Sequence, residues 1–109
     1  MSKSPIIAEV GAPEEWLDNP TAGDMLRTEF LEPLKLTPAD LAPLLGIEAQ
    51  RLTDVVNGRR QMDADLDLRL GRYFGMSEGF FLRLQNAYEL LEAKRAHAAE
   101  IDRIERRAA

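Results

Sequence analysis

The chain of 109 residues has no cysteine, which excludes disulfides and cysteine-based zinc sites. Only one histidine and one tryptophan are present, so little is available for a histidine-dependent metal or acid–base centre. No apolar run is long enough to span a bilayer, and the N-terminus carries no signal-peptide pattern. A cytoplasmic location is therefore expected. Basic residues are in deficit, with 14 Lys and Arg against 19 Asp and Glu and a net charge of −5. That balance argues against nucleic-acid binding by bulk charge, because phosphate neutralisation dominates such affinity, but it leaves room for a local basic face. Neither Pro nor Gly follows Gly79, so a helical pattern could run unbroken from Phe80 to Arg107. No internal repeat is present.

Enzymatic chemistry finds no support. There is no Gly-rich phosphate loop and no activated nucleophile in a recognisable setting. His97 lies in a charged tail and reads as a surface residue. Asp63, Asp65 and Asp67 are close together, but the Gly and the terminal Glu of a calcium loop are missing. Asp63 reads instead as a helix N-cap, with Asp65 and Asp67 in the first turn. No metal, cofactor or catalytic residue is expected.

What is present is helical periodicity in one small domain. Residues 1–20 read as an N-terminal arm broken by Pro5, Gly11, Pro13 and Pro20. Within it, residues 5–10 could be extended and residues 14–17 a single helical turn. Trp16 covers a core edge or anchors a partner. The arm is acidic, with Glu9, Glu14, Glu15 and Asp18 against Lys3 alone. Residues 21–91 read as a helix-turn-helix domain and residues 92–109 as a helical extension. From Ala22 to Leu34, the residues Met25, Leu26, Phe30, Leu31 and Leu34 recur at helical spacing, and Pro33 lies near the end. A helix over 63–74 turns Leu66, Leu70 and Phe74 inward, and Gly75 stops it. Ser77 is expected to cap the last helix, whose apolar face is Phe80, Phe81, Leu84, Tyr88 and Leu91. Further on, Leu84, Ala87, Leu91, Lys94, Ala98 and Ile101 follow a seam-like spacing.

Residues 37–60 carry the most specific pattern. Leu41, Leu45, Ile47, Leu52, Val55 and Val56 supply an apolar side. Gly46 supplies a turn needing positive φ, and Ala42 is small where two helices would cross. Thr37 is the expected N-cap, with Asp40 three residues on and Pro38 at the first helical position. Pro43 predicts a kink or a tightened turn, but not a lost helix. Two short helices joined in this way form a helix-turn-helix, whose second helix normally enters the DNA major groove.

Several stretches resemble the HigA-type antitoxin family. They are Ala22-Gly23-Asp24-Met25-Leu26-Arg27 through Glu32-Pro33, Asp40-Leu41-Ala42 through Leu45-Gly46-Ile47, Val56-Asn57-Gly58-Arg59-Arg60, Leu68 through Ser77, and Phe80-Phe81-Leu82-Arg83-Leu84-Gln85. The resemblance spans about residues 20–91. It implies an all-α, lambda-repressor-like five-helix domain with a long C-terminal helix, working as a bacterial homodimer that represses its own operon. It also implies a partner, a HigB-type toxin that cleaves translated messenger RNA and is basic by family expectation. The chain departs from the family at Thr21-Ala22-Gly23, where His-Pro-Gly is common, and at Phe81, where Trp is usual.

On this reading the DNA-binding residues are Ala49, Gln50, Arg51, Thr53, Asn57, Arg59 and Arg60. Gln50 can pair bidentately with adenine, and Ala49 or Thr53 can meet a thymine methyl. Arg51, Arg59 and Arg60 are the expected phosphate clamps. Pro38, Glu48 and Asp54 occupy positions where groove readers usually carry amides or bases. They motivate an alternative, in which the fold serves toxin binding while DNA binding is weak or lost.

Overall fold

Capping chemistry sets where the helices of this chain begin and end. The computed structural model describes residues 18–108 and, among them, contains five helices and no strand. The first helix, α1, spans residues 22–34. It follows Thr21, whose Oγ1 accepts the Asp24 N–H at 2.9 Å while the Asp24 carboxylate accepts the Thr21 N–H at 3.0 Å. The next helix, α2, covers Pro38–Leu45 and repeats this reciprocal box with Thr37 and Asp40, at 3.0 Å in both directions. An N-cap of this kind is worth about 1 kcal/mol, because it satisfies N–H groups that have no partner inside the helix.

Gly46 closes α2 at φ +73°, with its N–H on the Pro43 carbonyl at 3.2 Å and the Ile47 N–H on the Ala42 carbonyl at 3.1 Å. This paired closure needs a left-handed residue, which glycine takes without penalty. Pro43 does not end α2, which continues to Leu45. Then follow α3 (Ala49–Val56), α4 (Ala64–Phe74) and α5 (Phe80–Asp102).

The described residues divide into two compact units, Pro20–Tyr88 and a second that takes in residues 18–19 and 89–108. In the first, Leu26, Leu31, Leu41, Ala42, Leu52, Val55, Leu66, Leu70 and Phe81 are all buried. Phe30 joins the core through ring contacts with Phe74 at 4.9 Å and Phe81 at 5.2 Å. Phe81 is fully buried, so the residue standing in place of the family's Trp serves as packing. Gly23 sets the closest approach, since a Cβ there would lie 1.9 Å from the Val55 carbonyl oxygen. The start of α1 therefore rests directly on the end of α3.

In the second unit, the Asn19 side chain donates to Glu92 at 3.0 Å. Exposed His97 contacts Glu100 at 2.8 Å and breaks the helical geometry of α5 with φ −131°. The helix ends at Asp102, short of the expected Arg107. Along the seam, Leu84 and Leu91 are half-buried, whereas Ala87, Lys94, Ala98 and Ile101 are exposed.

Four other local expectations are corrected. The middle of α1 (Arg27–Leu31) is a π-helical turn, flanked by α-helical Ala22–Leu26 and Glu32–Leu34. It lies just before Pro33, whose ring would press on the Glu29 carbonyl in a regular helix. Leu34 is exposed despite its place in the apolar pattern. Ser77 does not cap α5; its hydroxyl accepts from Arg83 at 3.2 Å. The cap is Asp67, which is not a solvated first-turn acid but a buried one. Its carboxylate accepts the N–H groups of Gly79 at 2.7 Å, Phe81 at 2.7 Å and Leu82 at 3.1 Å. The expectations for residues 5–10, residues 14–17 and Trp16 lie outside the described residues.

Candidate nucleic-acid interface

Helix α3 is strongly two-faced. Leu52, Val55 and Val56 point into the core, leaving the opposite side for solvent. Ala49, Gln50 and Asn57 are exposed, and Thr53 is half-buried between them. Positions 50, 53 and 57 fall at three- and four-residue spacing, so these side chains share one stripe. The helix starts at Ala49, with Glu48 as its N-cap and no side-chain cap hydrogen bond. A stripe of amide and hydroxyl groups flanked by a small apolar residue is a surface that can read base edges.

Asp54 organises the C-terminal end of this surface. Its main-chain carbonyl accepts the N–H groups of Arg59 at 2.8 Å and Arg60 at 3.2 Å. Gly58, at φ +77°, lets the chain turn back to make those bonds. The Asp54 side chain accepts from Gln50 Nε2 at 2.8 Å and pairs with Arg59 at 3.4 Å, both through Oδ1. Arg59 and Arg60 are exposed beside the end of α3, and Arg60 makes no side-chain ion pair among the described residues.

Arg51 faces the other way. Its side chain is 21% exposed and reaches Asp63 at 3.1 Å and Asp65 at 3.0 Å. Asp65 also takes Arg69 at 2.9 Å, and Arg69 donates to the Leu45 carbonyl at 2.8 Å. One continuous path therefore joins the end of α2, the start of α4 and the first turn of α3. Hydrogen bonds from Arg69, then from Arg51, hold the Asp65 carboxyl below its ordinary range. Arg69 lies outside the sequence-derived site because its partners are 4 and 24 residues away.

A concavity of about 450 Å³ beside the start of α3 is lined by Gly46, Ile47, Glu48, Arg51, Arg60 and Arg69. Another concavity, of about 1070 Å³, is bordered by Leu44, Leu68 and Tyr73 and does not include α3. No group of three or more metal-ligating side chains occurs among the described residues. No described helix is long and apolar enough to cross a membrane.

No family model matches the chain. It is 39% identical over 72 residues to Virulence-associated protein I of Dichelobacter nodosus, a match covering 66% of this chain and 67% of that protein. Among solved structures it resembles PA4674 of Pseudomonas aeruginosa in complex with its operator DNA. That likeness has a TM-score of 0.79 and 38% identity, covering 84% of this chain and 98% of the other. The Pseudomonas aeruginosa antitoxin HigA with the higBA promoter is similar at a TM-score of 0.75 and 38% identity, covering 81% of this chain and 97% of the other.

Proposed function

The chain belongs to the HigA-type antitoxin family and is not an enzyme, and on that premise we propose that it binds operator DNA as a homodimer to repress its own transcription unit. It also neutralises a basic, RNA-cleaving toxin of the HigB type. The observation that carries the DNA-binding reading is the exposed stripe of α3, with Gln50, Thr53 and Asn57 on one side and Arg59 and Arg60 at its end. Solved structures of relatives with operator or promoter DNA support the same reading.

In this reading Gln50 addresses adenine, and Ala49 and Thr53 contact thymine methyl groups. Asn57 lies at the edge of the groove. Arg59 and Arg60 hold phosphates, while Arg51 fixes the angle of the helix through Asp63 and Asp65. Two phosphate contacts per protomer give about four per dimer, and hence a salt slope near −3.6 at roughly −0.9 per contact. Dimerisation is what lifts so few contacts to useful affinity, with half-sites about 34 Å apart.

An electrophoretic shift on the chain's own promoter tests this reading. A specific shift is expected at moderate salt, and its absence, with and without the toxin, refutes it. Gln50→Ala should relax base preference at one position per half-site, and Arg59→Ala should weaken binding to all sequences alike. For the toxin, a small basic protein encoded next door should copurify with this chain and lose its RNA cleavage. If removal of residues 1–18 leaves toxin affinity unchanged, Glu9, Glu14, Glu15 and Asp18 are not the main contact.

A further inference from the structure

One acidic side chain stands among the groups assigned to DNA, and none of those roles uses it. Asp54 is 29% exposed at its side chain, on the same helix as Gln50 and four residues beyond it. Its Oδ1 is shared by Gln50 Nε2 at 2.8 Å and Arg59 Nη2 at 3.4 Å. A carboxylate can only accept hydrogen bonds, so it fixes which end of the Gln50 amide faces it. The nitrogen is turned toward Asp54. An amide held this way still has its oxygen and a second N–H with which to pair. Those are the two groups a bidentate contact with adenine needs.

The same carboxylate bears on Arg59. It offsets part of the charge that would otherwise be offered to any phosphate, and it adds like-charge repulsion toward the DNA backbone. An acid at this position therefore weakens sequence-independent binding while ordering the sequence-reading amide. Both effects raise the ratio of specific to non-specific affinity.

We propose that Asp54 is a specificity-determining positioning residue: it orients the Gln50 amide for base reading and restrains Arg59 from indiscriminate phosphate binding. The inference rests on the DNA-binding reading above and deepens it at that site.

The test compares wild type, Asp54→Asn and Asp54→Ala in full-length protein, titrated onto the promoter duplex, onto promoter duplexes changed singly at each half-site position, and onto a scrambled duplex. Each titration is run across a salt series. Both variants should bind the scrambled duplex about threefold to tenfold more tightly at low salt, because a charge opposing phosphate is gone. Their salt slopes should steepen by up to about 0.9 for each Arg59 released. In Asp54→Ala the promoter-to-scrambled ratio should fall about tenfold, with the loss concentrated at the base position where Gln50→Ala also relaxes preference. Asp54→Asn, which keeps an acceptor oxygen, should retain more of that preference than Asp54→Ala.

A purely structural role would lower affinity for every duplex together and leave the slope and the base profile unmoved, and that result overturns the proposal. Unchanged binding in both variants overturns it as well. If wild type itself shows no specific complex, the DNA-binding reading fails and takes this inference with it. A specific wild-type complex with an unaltered ratio in the variants removes the inference alone.

Discussion

Asp67 should be among the costliest single positions in the helical domain, although the sequence marks it only as one of three spaced aspartates. It is buried, and it accepts three main-chain N–H groups at the start of α5. Those N–H groups have no partner inside the helix. In Asp67→Ala, the Gly79 and Leu82 N–H groups can reach water at partial exposure. The N–H of buried Phe81 cannot. One stranded buried donor costs about 1–3 kcal/mol, and hydrogen bonds to a charged group contribute about 1.5–3 kcal/mol each. Removing a buried charge returns part of its desolvation penalty. A net loss of about 3 kcal/mol follows from these opposing contributions.

Against a total stability of about 5–15 kcal/mol, that loss is severe. At roughly 4–8 °C per kcal/mol for a domain of this size, the melting temperature should drop about 12–24 °C. Urea unfolding and thermal melts followed by circular dichroism measure it. Asp67→Asn should cost less, about 1–2 kcal/mol, because its oxygen can still serve Phe81 while its amide hydrogens oppose the Gly79 N–H. The reasoning is refuted if Asp67→Ala lies within 1 kcal/mol of wild type, or if Asp67→Asn is as damaging as Asp67→Ala.

Three further outcomes are expected. Gly23→Ala places a Cβ 1.9 Å from the Val55 carbonyl oxygen; it should destabilise by about 3 kcal/mol or more and reduce operator affinity, since relief requires moving the end of α3. Denaturant midpoints against pH will reveal the capping carboxylates: Asp24 and Asp40 are held below the ordinary 3.8, each chiefly by the main-chain N–H of its threonine, and Asp65 chiefly by Arg69. Because these values are depressed in the folded state, their stabilisation is complete above 3.8 and is lost as pH falls through the lower folded values; a triple Asn variant should flatten that acid limb. Arg51→Met removes the ties to Asp63 and Asp65 and should cost about 1–2 kcal/mol while changing the salt slope of DNA binding little, whereas Arg60→Met should do the reverse.

Local rules carried most of the architecture. The caps at Thr37, Asp63 and Gly46 act within a few residues, so the sequence displays cause and effect together. Periodicity placed Leu52, Val55, Leu66 and Leu70 inward for the same reason. What was hidden depends on distant partners. Asp67 meets Gly79, Phe81 and Leu82 across a turn, and Gln85 accepts the Met62 N–H from 23 residues away. A buried polar residue looks like a surface one until its partner is known. Ser77 has the right chemistry and spacing for a cap, but the Asp67 carboxylate reaches the same N–H groups and accepts them more strongly. On the candidate interface, exposure follows from the period of α3, whereas the inward turn of Arg51 follows from the position of α4.

The charge deficit also changes meaning once the pairs are placed. Counted along the sequence, the net charge of −5 weighs against DNA. In the fold, Asp63 and Asp65 are held by Arg51 and Arg69, and Asp24 and Asp40 are drawn into the caps of α1 and α2. Asp67 is buried beneath the start of α5. These acids are occupied in holding helices in place, and several lie away from the outer stripe of α3. The field at that stripe is set by the groups nearest to it, since charges beyond a Debye length of about 8 Å are largely screened. Those groups are Asp54, Arg59 and Arg60 together at its C-terminal end and Glu48 at its start. The local balance is near neutral rather than strongly negative. A surface of that kind binds DNA poorly where only charge is on offer and gains most where its amides meet the right bases, so a low net charge here favours discrimination over tight, indiscriminate binding.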